Sequence, residues 1–146
     1  MYHILIIEDD LSIAKSLDQV LKSWGYASTY VTDFKQVIET FLTIQPHLIL
    51  MDISLPFFNG YHWCAEIRKL SNVPIIFISS ASENLNIVMA MNMGGDDFIS
   101  KPFDLGVMVA KIQALLRRTY AFTGQRQILE HHGVILNLND ASLTYE

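Results

Sequence analysis

The sequence predicts an α/β fold in which a parallel sheet carries helices on both faces. Short apolar runs of strand length alternate five times with segments of helical periodicity, and no segment repeats another. Right-handed crossovers between successive parallel strands leave few other arrangements for such a chain. With 146 residues, 51% of them apolar, the chain can form one well-packed domain and part of a second.

Five apolar runs are predicted to be strands. The clearest is Leu48–Met51, which runs into Asp52 before Ser54 and Pro56 end the segment. An acid at the end of a buried strand is placed for chemistry, although taken alone it can also do no more than cap a turn. The other predicted strands are His3–Ile7, Tyr26–Val31, Val73–Ile78 and Asp97–Ser100.

The segments between these runs are predicted to be helices. Asp33, followed three residues later by Gln36, has the spacing of a capping box, and Asp104 is a predicted N-cap. Trp24 and Trp63 are predicted to pack from their helices against the core. The predicted helices are Ile13–Trp24, Phe34–Leu42, Tyr61–Leu70, Asn84–Met93 and Leu105–Leu116.

The character of the sequence changes after Tyr120. Residues 120–126 have the composition of a linker, and three short β-rich runs follow it, separated by turn residues. These runs are too few to bury a core, so they indicate a short antiparallel tail that opens a second domain. We therefore predict a first domain over 1–119, a linker over 120–126 and the start of a second domain over 127–146.

Composition limits the function. A net charge of -5 argues against nucleic-acid binding by this chain itself, because such proteins normally carry a basic face. The single cysteine, Cys64, suits a reducing cytosol and is predicted to be a small packing residue. No signal peptide and no apolar run of about 18 to 20 residues is found, so we expect a soluble cytoplasmic protein without a membrane partner.

The predicted strand ends bring polar side chains to one edge of the sheet. Clustered carboxylates need a proton or a cation among them, and oxygen ligands of this kind suit Mg²⁺. A lysine ammonium and a serine hydroxyl would complement the oxygens of a phosphoryl group, with Asp52 as the nucleophile that forms an acyl phosphate. The residues expected at this edge are Glu8, Asp9, Asp10, Asp52, Ser79 and Lys101.

Five motifs taken together resemble the receiver domains of bacterial two-component response regulators. The resemblance covers residues 3 to 118 in order, and it implies a flavodoxin-like or CheY-like sheet with strand order 2-1-3-4-5. The motifs are Ile6-Ile7-Glu8-Asp9-Asp10, Met51-Asp52-Ile53-Ser54-Leu55-Pro56, Asn59-Gly60, Ile78-Ser79 and Gly94-Gly95-Asp96-Asp97-Phe98-Ile99-Ser100-Lys101-Pro102-Phe103.

The resemblance also implies roles for individual residues. Asp52 would accept a phosphoryl group from a sensor histidine kinase, and Ser79 and Lys101 would bind the phosphoryl oxygens. In this family a switch couples the residue at Ser79 to an aromatic residue, here Phe98, where most relatives have Tyr. Phe98 can equally be ordinary core. The implied Mg²⁺ ligands are the side chains of Glu8, Asp9 and Asp52 and the backbone carbonyl of Ser54.

Finer resemblances point to the OmpR/PhoB subfamily, in which a winged-helix DNA-binding domain follows the receiver domain. DNA binding would then belong only to a C-terminal domain beyond Glu146. The sequence is also similar to the branch that responds to antimicrobial peptides and cell-envelope antibiotics. Members dimerise through the fourth helix, fifth strand and fifth helix, which implies interface positions at Ile87, Asp97, Val107 and Lys111.

Two other functions remain open at this point. The chain could be a stand-alone receiver domain that acts as a phosphorylation-dependent binding module. It could also be a phosphatase of the haloacid dehalogenase type, but that class needs a second acid two residues after the nucleophile, where this chain has Ser54. We therefore expect a phosphoacceptor in a phosphorelay that controls transcription, and not a classical enzyme.

Overall fold

The computed structural model describes residues 1–79, 84–101 and 104–121, with the side chains of 84–87 and 121 excluded. Within these ranges, strands and helices alternate as the sequence predicts, and a short π-helical segment, Arg117–Ala121, follows the last helix. The elements are β1 (His3–Ile7), α1 (Leu11–Ser23), β2 (Ala27–Tyr30), α2 (Val37–Ile44), β3 (Leu48–Asp52), α3 (Gly60–Arg68), β4 (Ile75–Ser79), α4 (Asn84–Asn92), β5 (Asp97–Ser100) and α5 (Leu105–Leu116).

The strands form one parallel sheet in the order β2-β1-β3-β4-β5. The predicted α/β fold is therefore confirmed. The register pairs Ile7 with Met51 and Met51 with Phe77, so the carboxyl ends of β1, β3 and β4 lie at the same edge. The predicted antiparallel tail and the domain limits that depend on it lie outside the described residues, whereas residues 1–109 form one compact unit.

The three central strands are the apolar centre of the sheet. All five residues of β3 and of β4 are buried, as are Ile4 to Ile7 of β1. A strand covered on both faces must be apolar throughout, which explains why these segments show continuous apolar runs and not an alternating pattern. Cys64 is fully buried in the same core, as predicted for a small packing residue.

Helix starts differ from the prediction at two places. Asp10 caps α1, because its Oδ1 accepts a hydrogen bond from the Ile13 amide at 3.3 Å, so α1 begins two residues early. The predicted capping box is wrong: α2 begins at Val37, and its N-cap, Gln36, makes no capping bond through its side chain. The Asp33 carboxylate instead accepts the Lys35 amide at 3.0 Å and closes a turn.

The two tryptophans have different environments. Trp63 is buried in α3, as predicted. Trp24 is the C-cap residue of α1 and is 57% exposed, so its predicted packing role is wrong. Helical spacing placed it on the apolar face, but α1 ends at Ser23, one residue before it. Among the helices that the structure describes, none is both long and apolar enough to span a bilayer.

Candidate functional site

Charged side chains from three strands meet at the carboxyl edge of the sheet. Glu8 follows β1, Asp52 ends β3 and Lys101 follows β5. The Lys101 Nζ lies 2.7 Å from Glu8 Oε1 and 3.2 Å from Asp52 Oδ2. The ammonium therefore holds two carboxylates from different strands, and this arrangement confirms that the predicted strand ends converge.

Burial controls the electrostatics of this cluster. Glu8 is only 2% exposed and Asp52 only 3% exposed. Burial raises the pKa of Glu8, and the hydrogen-bonded Asp52 carboxylate raises it further. Burial lowers the pKa of Lys101, but hydrogen bonds and attraction to Glu8 and Asp52 outweigh burial, so the net shift is upward. Lys101 consequently stays charged at neutral pH.

The same edge offers oxygen ligands for a cation. Carboxylate oxygens of Glu8, Asp9 and Asp52 all lie within 4.8 Å of one another, and Asp9 is exposed to solvent. Glu8 Oε1 is buried, and the Lys101 ammonium lies 2.7 Å from it. A hard divalent cation that keeps water in its open positions fits this donor set, and Mg²⁺ is such a cation.

Asp10 does not belong to the cluster of ligands. Its side chain caps α1, while its backbone amide donates a hydrogen bond to Glu8 Oε2 at 3.1 Å. The start of α1 thus orients the Glu8 carboxylate. Asp10, one of the acids expected at this edge, is therefore a helix cap and not one of the grouped metal-ligand candidates.

The loop between β3 and α3 closes tightly on Asp52. The Ser54 amide lies 3.2 Å from Asp52 Oδ1, and the Gly60 amide donates to the Ile53 carbonyl at 2.9 Å. A Cβ atom at Gly60 would collide with the backbone carbonyl oxygen of Asp52. Asn59 caps α3 through Oδ1, which accepts the His62 amide. Sequence reasoning identified the Asn59-Gly60 pair only as a motif and missed this close approach.

The comparison with known proteins agrees with this geometry. Residues 4–113 match the family described as "Response regulator receiver domain". The chain belongs to this family.

Curated relatives of this receiver domain come from sensory systems. The chain is 46% identical over 130 residues to the sensory transduction protein BceR of Halalkalibacterium halodurans, a match that covers 89% of this chain and 56% of that protein. It is 37% identical over 144 residues to the response regulator protein GraR of Staphylococcus saprophyticus, covering 98% of this chain and 64% of that protein. The chain thus spans between about half and two thirds of the length of these relatives.

Solved structures show the same likeness. The N-terminal domain of the nisin resistance regulator NsrR, described as a lantibiotic response regulator, is 50% identical, with a TM-score of 0.75 over 80% of this chain and 99% of that one. A two-component response regulator from Clostridium difficile is 30% identical, with a TM-score of 0.79 over 82% of this chain and 99% of that chain. The predicted resemblance to the antimicrobial-peptide branch of the OmpR/PhoB regulators is confirmed.

Two further receiver positions lie on β4 and β5. Ser79 is the last residue of β4 and is buried at the same edge as Asp52, and its carbonyl accepts the Lys101 amide at 2.6 Å. Phe98 pairs in register with Phe77 and packs, half-buried, against the hydrophobic core. Its position suits both readings given by the sequence, the switch and the core residue.

The predicted interface residues lie on the expected elements. Asp97 begins β5, Val107 is exposed on α5, and Lys111 is half-buried on the same helix. Ile87 belongs to α4, but its side chain lies outside the described residues. An association between two copies therefore remains a prediction.

Proposed function

We propose that this receiver domain accepts a phosphoryl group on the Asp52 carboxylate from a phosphohistidine of a sensor histidine kinase. The observation that carries the proposal is the convergence of Asp52 with the Lys101 ammonium and the carboxylates of Glu8 and Asp9 at one edge of the sheet. A buried nucleophile beside a fixed cation and a set of metal ligands suits phosphoryl transfer.

In this reaction an Asp52 oxygen forms a bond to phosphorus while the bond between phosphorus and the donor imidazole nitrogen breaks. The electron pair of the broken bond stays on the imidazole. Lys101 lies 3.2 Å from Asp52 Oδ2 and can move its contact to the arriving phosphoryl oxygens, whose negative charge it stabilises. The Ser79 hydroxyl acts as a second donor at the same edge.

Glu8, Asp9, Asp52 and the backbone carbonyl of Ser54 are the proposed Mg²⁺ ligands. When bound, Mg²⁺ would neutralise charge on the carboxylates and on the phosphoryl oxygens. Asp9 is the exposed member of this set and faces solvent. Because Lys101 already neutralises Glu8 and Asp52 in part, the cluster can persist without the cation.

Phosphorylation would reach the rest of the protein through Ser79 and Phe98 and would favour association of two receiver domains. The proposed interface contains α4, β5 and α5, including Ile87, Asp97, Val107 and Lys111. Its support is a set of exposed apolar side chains on α4 and at the start of α5, namely Val88, Met89, Met91, Leu105 and Val107. An apolar face of this kind would make the association only weakly dependent on salt.

For the whole protein, we propose a cytoplasmic transcription regulator whose DNA-binding domain follows this chain. The curated relatives are longer than this chain, and one of them, YvcP of Bacillus subtilis, is named a transcriptional regulatory protein. The likeness to the lantibiotic regulator NsrR supports a signal that arises from antimicrobial peptides. In this reading the receiver domain is a stoichiometric phosphoacceptor and not an enzyme that turns over a substrate.

The direct test is intact-mass spectrometry after incubation with acetyl phosphate and Mg²⁺. We expect a gain of about 80 Da, one phosphoryl group, that is absent in Asp52→Asn and absent without Mg²⁺. Asp10→Asn is the matched control, because Asn keeps the helix cap and changes an acid outside the ligand set. An adduct that persists in Asp52→Asn, or no adduct in the wild-type chain, would overturn the proposal.

A further inference from the structure

Two phenylalanine rings stand on the surface at the tip of the loop between β3 and α3. Phe57 is 65% exposed and Phe58 is 51% exposed, and we call this pair the aromatic tip. Neighbouring side chains hold both rings. The Phe58 ring stacks on His62 with centroids 4.1 Å apart, and Lys35 Nζ lies 5.1 Å from the Phe57 ring centroid. The aromatic tip is thus an ordered surface feature.

The backbone of the aromatic tip is strained. Phe57 has φ = 69°, in the left-handed region that side chains with a Cβ atom disfavour. The Phe58 amide donates to the Pro56 carbonyl at 2.8 Å, which closes a three-residue γ-turn around Phe57. Glycine would adopt this conformation with less strain. Since the Phe57 ring is largely exposed, its burial does not offset the strain.

A phenylalanine here therefore costs folding free energy and leaves aromatic area in water. Strained residues are concentrated at functional positions, and exposed aromatic side chains are typical of the centres of protein interfaces. The stability of this chain does not account for Phe57. Binding to another molecule would account for it.

The position of the aromatic tip indicates which molecule. Phe58 is two residues from Gly60, so the Cα atoms of Phe58 and Gly60 are at most about 7 Å apart. Gly60 in turn contacts the Asp52 backbone, which places the aromatic tip near the phosphoacceptor. A protein interface of ordinary size covers about 800 Å² on each partner, a disc of roughly 16 Å radius. A protein that delivers a phosphoryl group to Asp52 would consequently cover the aromatic tip, whereas a small phosphodonor would not.

We propose that Phe57 and Phe58 form a docking surface for the protein that donates the phosphoryl group to Asp52. This inference rests on the proposed function. The donor would present an apolar depression to the two rings and a carboxylate to Lys35, whose ammonium lies over the Phe57 ring. The aromatic tip would then select a protein donor without taking part in the chemistry.

The test compares two donors on the same variants. One donor is acetyl phosphate, and the other is the autophosphorylated cytoplasmic fragment of a sensor histidine kinase that phosphorylates this chain. For Phe57→Gly we expect kcat/KM with the kinase fragment to fall about tenfold, as for the truncation of an interface aromatic. With acetyl phosphate the rate should stay within about twofold, because the site itself is unchanged.

Three variants serve as controls. Phe57→Tyr keeps the ring and should retain most of the transfer rate from the kinase fragment, while Phe58→Ala should lower it. Trp24→Ala removes an aromatic side chain of similar exposure at the opposite, amino-terminal edge of the sheet and should leave both rates unchanged. Phe57→Gly should melt at or above the wild-type temperature, which excludes misfolding as the cause of a slower transfer.

Equal transfer rates from the kinase fragment to wild type and Phe57→Gly would overturn the inference. So would a change in self-association without a change in transfer, since the aromatic tip would then bind a second copy of this chain. Calorimetry of the unphosphorylated kinase fragment with each variant measures docking without phosphoryl transfer. It therefore separates the proposed docking surface from the proposed phosphorylation of Asp52. Absence of any phosphoryl adduct on Asp52 would refute the proposed function, while weaker binding of Phe57→Gly would still support the docking surface.

Discussion

The backbone of Gly60, at the start of α3, lies directly against the carbonyl of Asp52, the residue that ends β3. A Cβ atom at position 60 would collide with this carbonyl oxygen and would lie 3.0 Å from the Ile53 Cα. These atoms are backbone and cannot rotate away. The close approach thus fixes the start of α3 against the residue that we propose as phosphoacceptor.

We predict that Gly60→Ala shifts β3 or α3 and disturbs Asp52. The free energy of unfolding should fall by about 1–3 kcal/mol, as for other overpacked sites, and phosphorylation by acetyl phosphate should slow. Urea unfolding and intact mass measure the two effects. Gly106→Ala is the control: its Cβ would meet only the end of the Asp104 side chain at 3.1 Å, and Ala favours a helix. Equal stability of Gly60→Ala and wild type would contradict this prediction.

A second prediction concerns the cation. If Mg²⁺ binds Glu8, Asp9 and Asp52, it stabilises the folded chain, by about 1.4 kcal/mol when its free concentration is tenfold above the dissociation constant. A gain of this size raises the melting temperature by about 3 to 6 °C in a chain of this length. Asp9→Asn should lose most of this rise.

The control for the cation is Asp10→Asn, which changes an adjacent acid that caps α1 and leaves the three ligands intact. We expect this variant to respond to Mg²⁺ as the wild type does. The melting temperature, measured by circular dichroism with Mg²⁺ and then with chelator, provides the comparison. A response that is equal in Asp9→Asn and Asp10→Asn would indicate general screening of charge and no specific site.

The order of the strands and the convergence of the acids were accessible from sequence because each depends on a strong, simple signal. Leu48–Asp52 is buried along its whole length, so its apolar run could only be a central strand. Once the strands are parallel, their carboxyl ends must share an edge. Topology therefore brings Glu8 and Asp52 together, whatever the intervening residues are.

Local backbone geometry was not accessible in the same way. Asp33 and Gln36 have the spacing of a capping box, but the same spacing allows the turn that forms, in which Asp33 accepts the Lys35 amide. The positive φ of Phe57 had no sequence signal, because a phenylalanine normally argues against it. Both features depend on how the loop is closed by its surroundings, and residue identity does not encode that directly.

The contacts of Arg68 were likewise not accessible from the sequence, and they yield a third prediction. Its guanidinium donates to the Gly94 carbonyl at 2.7 Å, through Nη2, and to the Val73 carbonyl at 2.6 Å, through Nη1. It also pairs with Asp96 Oδ2 at 3.0 Å, and this same oxygen accepts the Ile75 amide. One side chain at the end of α3 thus joins the segment before β4 to the segment before β5.

We predict that Arg68→Ala lowers the free energy of unfolding by about 2–4 kcal/mol, because the Gly94 and Val73 carbonyls lose this donor and the Asp96 carboxylate loses its ion pair. Arg68→Lys should recover only part of this loss, since a single ammonium cannot reproduce the planar fork. Lys69→Ala, which removes a surface pair with Glu66, should have no measurable effect. Urea unfolding of the three variants tests the ranking, and similar values for Arg68→Ala and Lys69→Ala would refute it.

The fourth prediction concerns the amino-terminal edge of the sheet, where His47 is hydrogen-bonded to His3, the first residue of β1. Its Nδ1 accepts the His3 amide at 3.0 Å, and its own amide donates to the His3 carbonyl at 2.8 Å. Burial lowers the pKa of His47, and the positive charges of the chain's amino terminus and of His3 lower it further. A proton on Nδ1 would remove the acceptor of the His3 amide.

The sign of the pH dependence follows from this shift. Because the pKa of His47 in the folded chain lies below its ordinary value of 6.5, the unfolded chain binds the proton more readily. The contribution of His47 to stability is therefore complete above pH 6.5 and is lost as the pH falls from 6.5 toward the lowered pKa.

His47→Asn places an amide oxygen near the position of Nδ1 and cannot titrate. Urea unfolding between pH 8 and pH 5, roughly the range in which histidine changes charge, should show a smaller acid-induced loss in His47→Asn than in wild type. Parallel curves would mean that His47 is protonated equally in both states and that the bond to the His3 amide tolerates the proton.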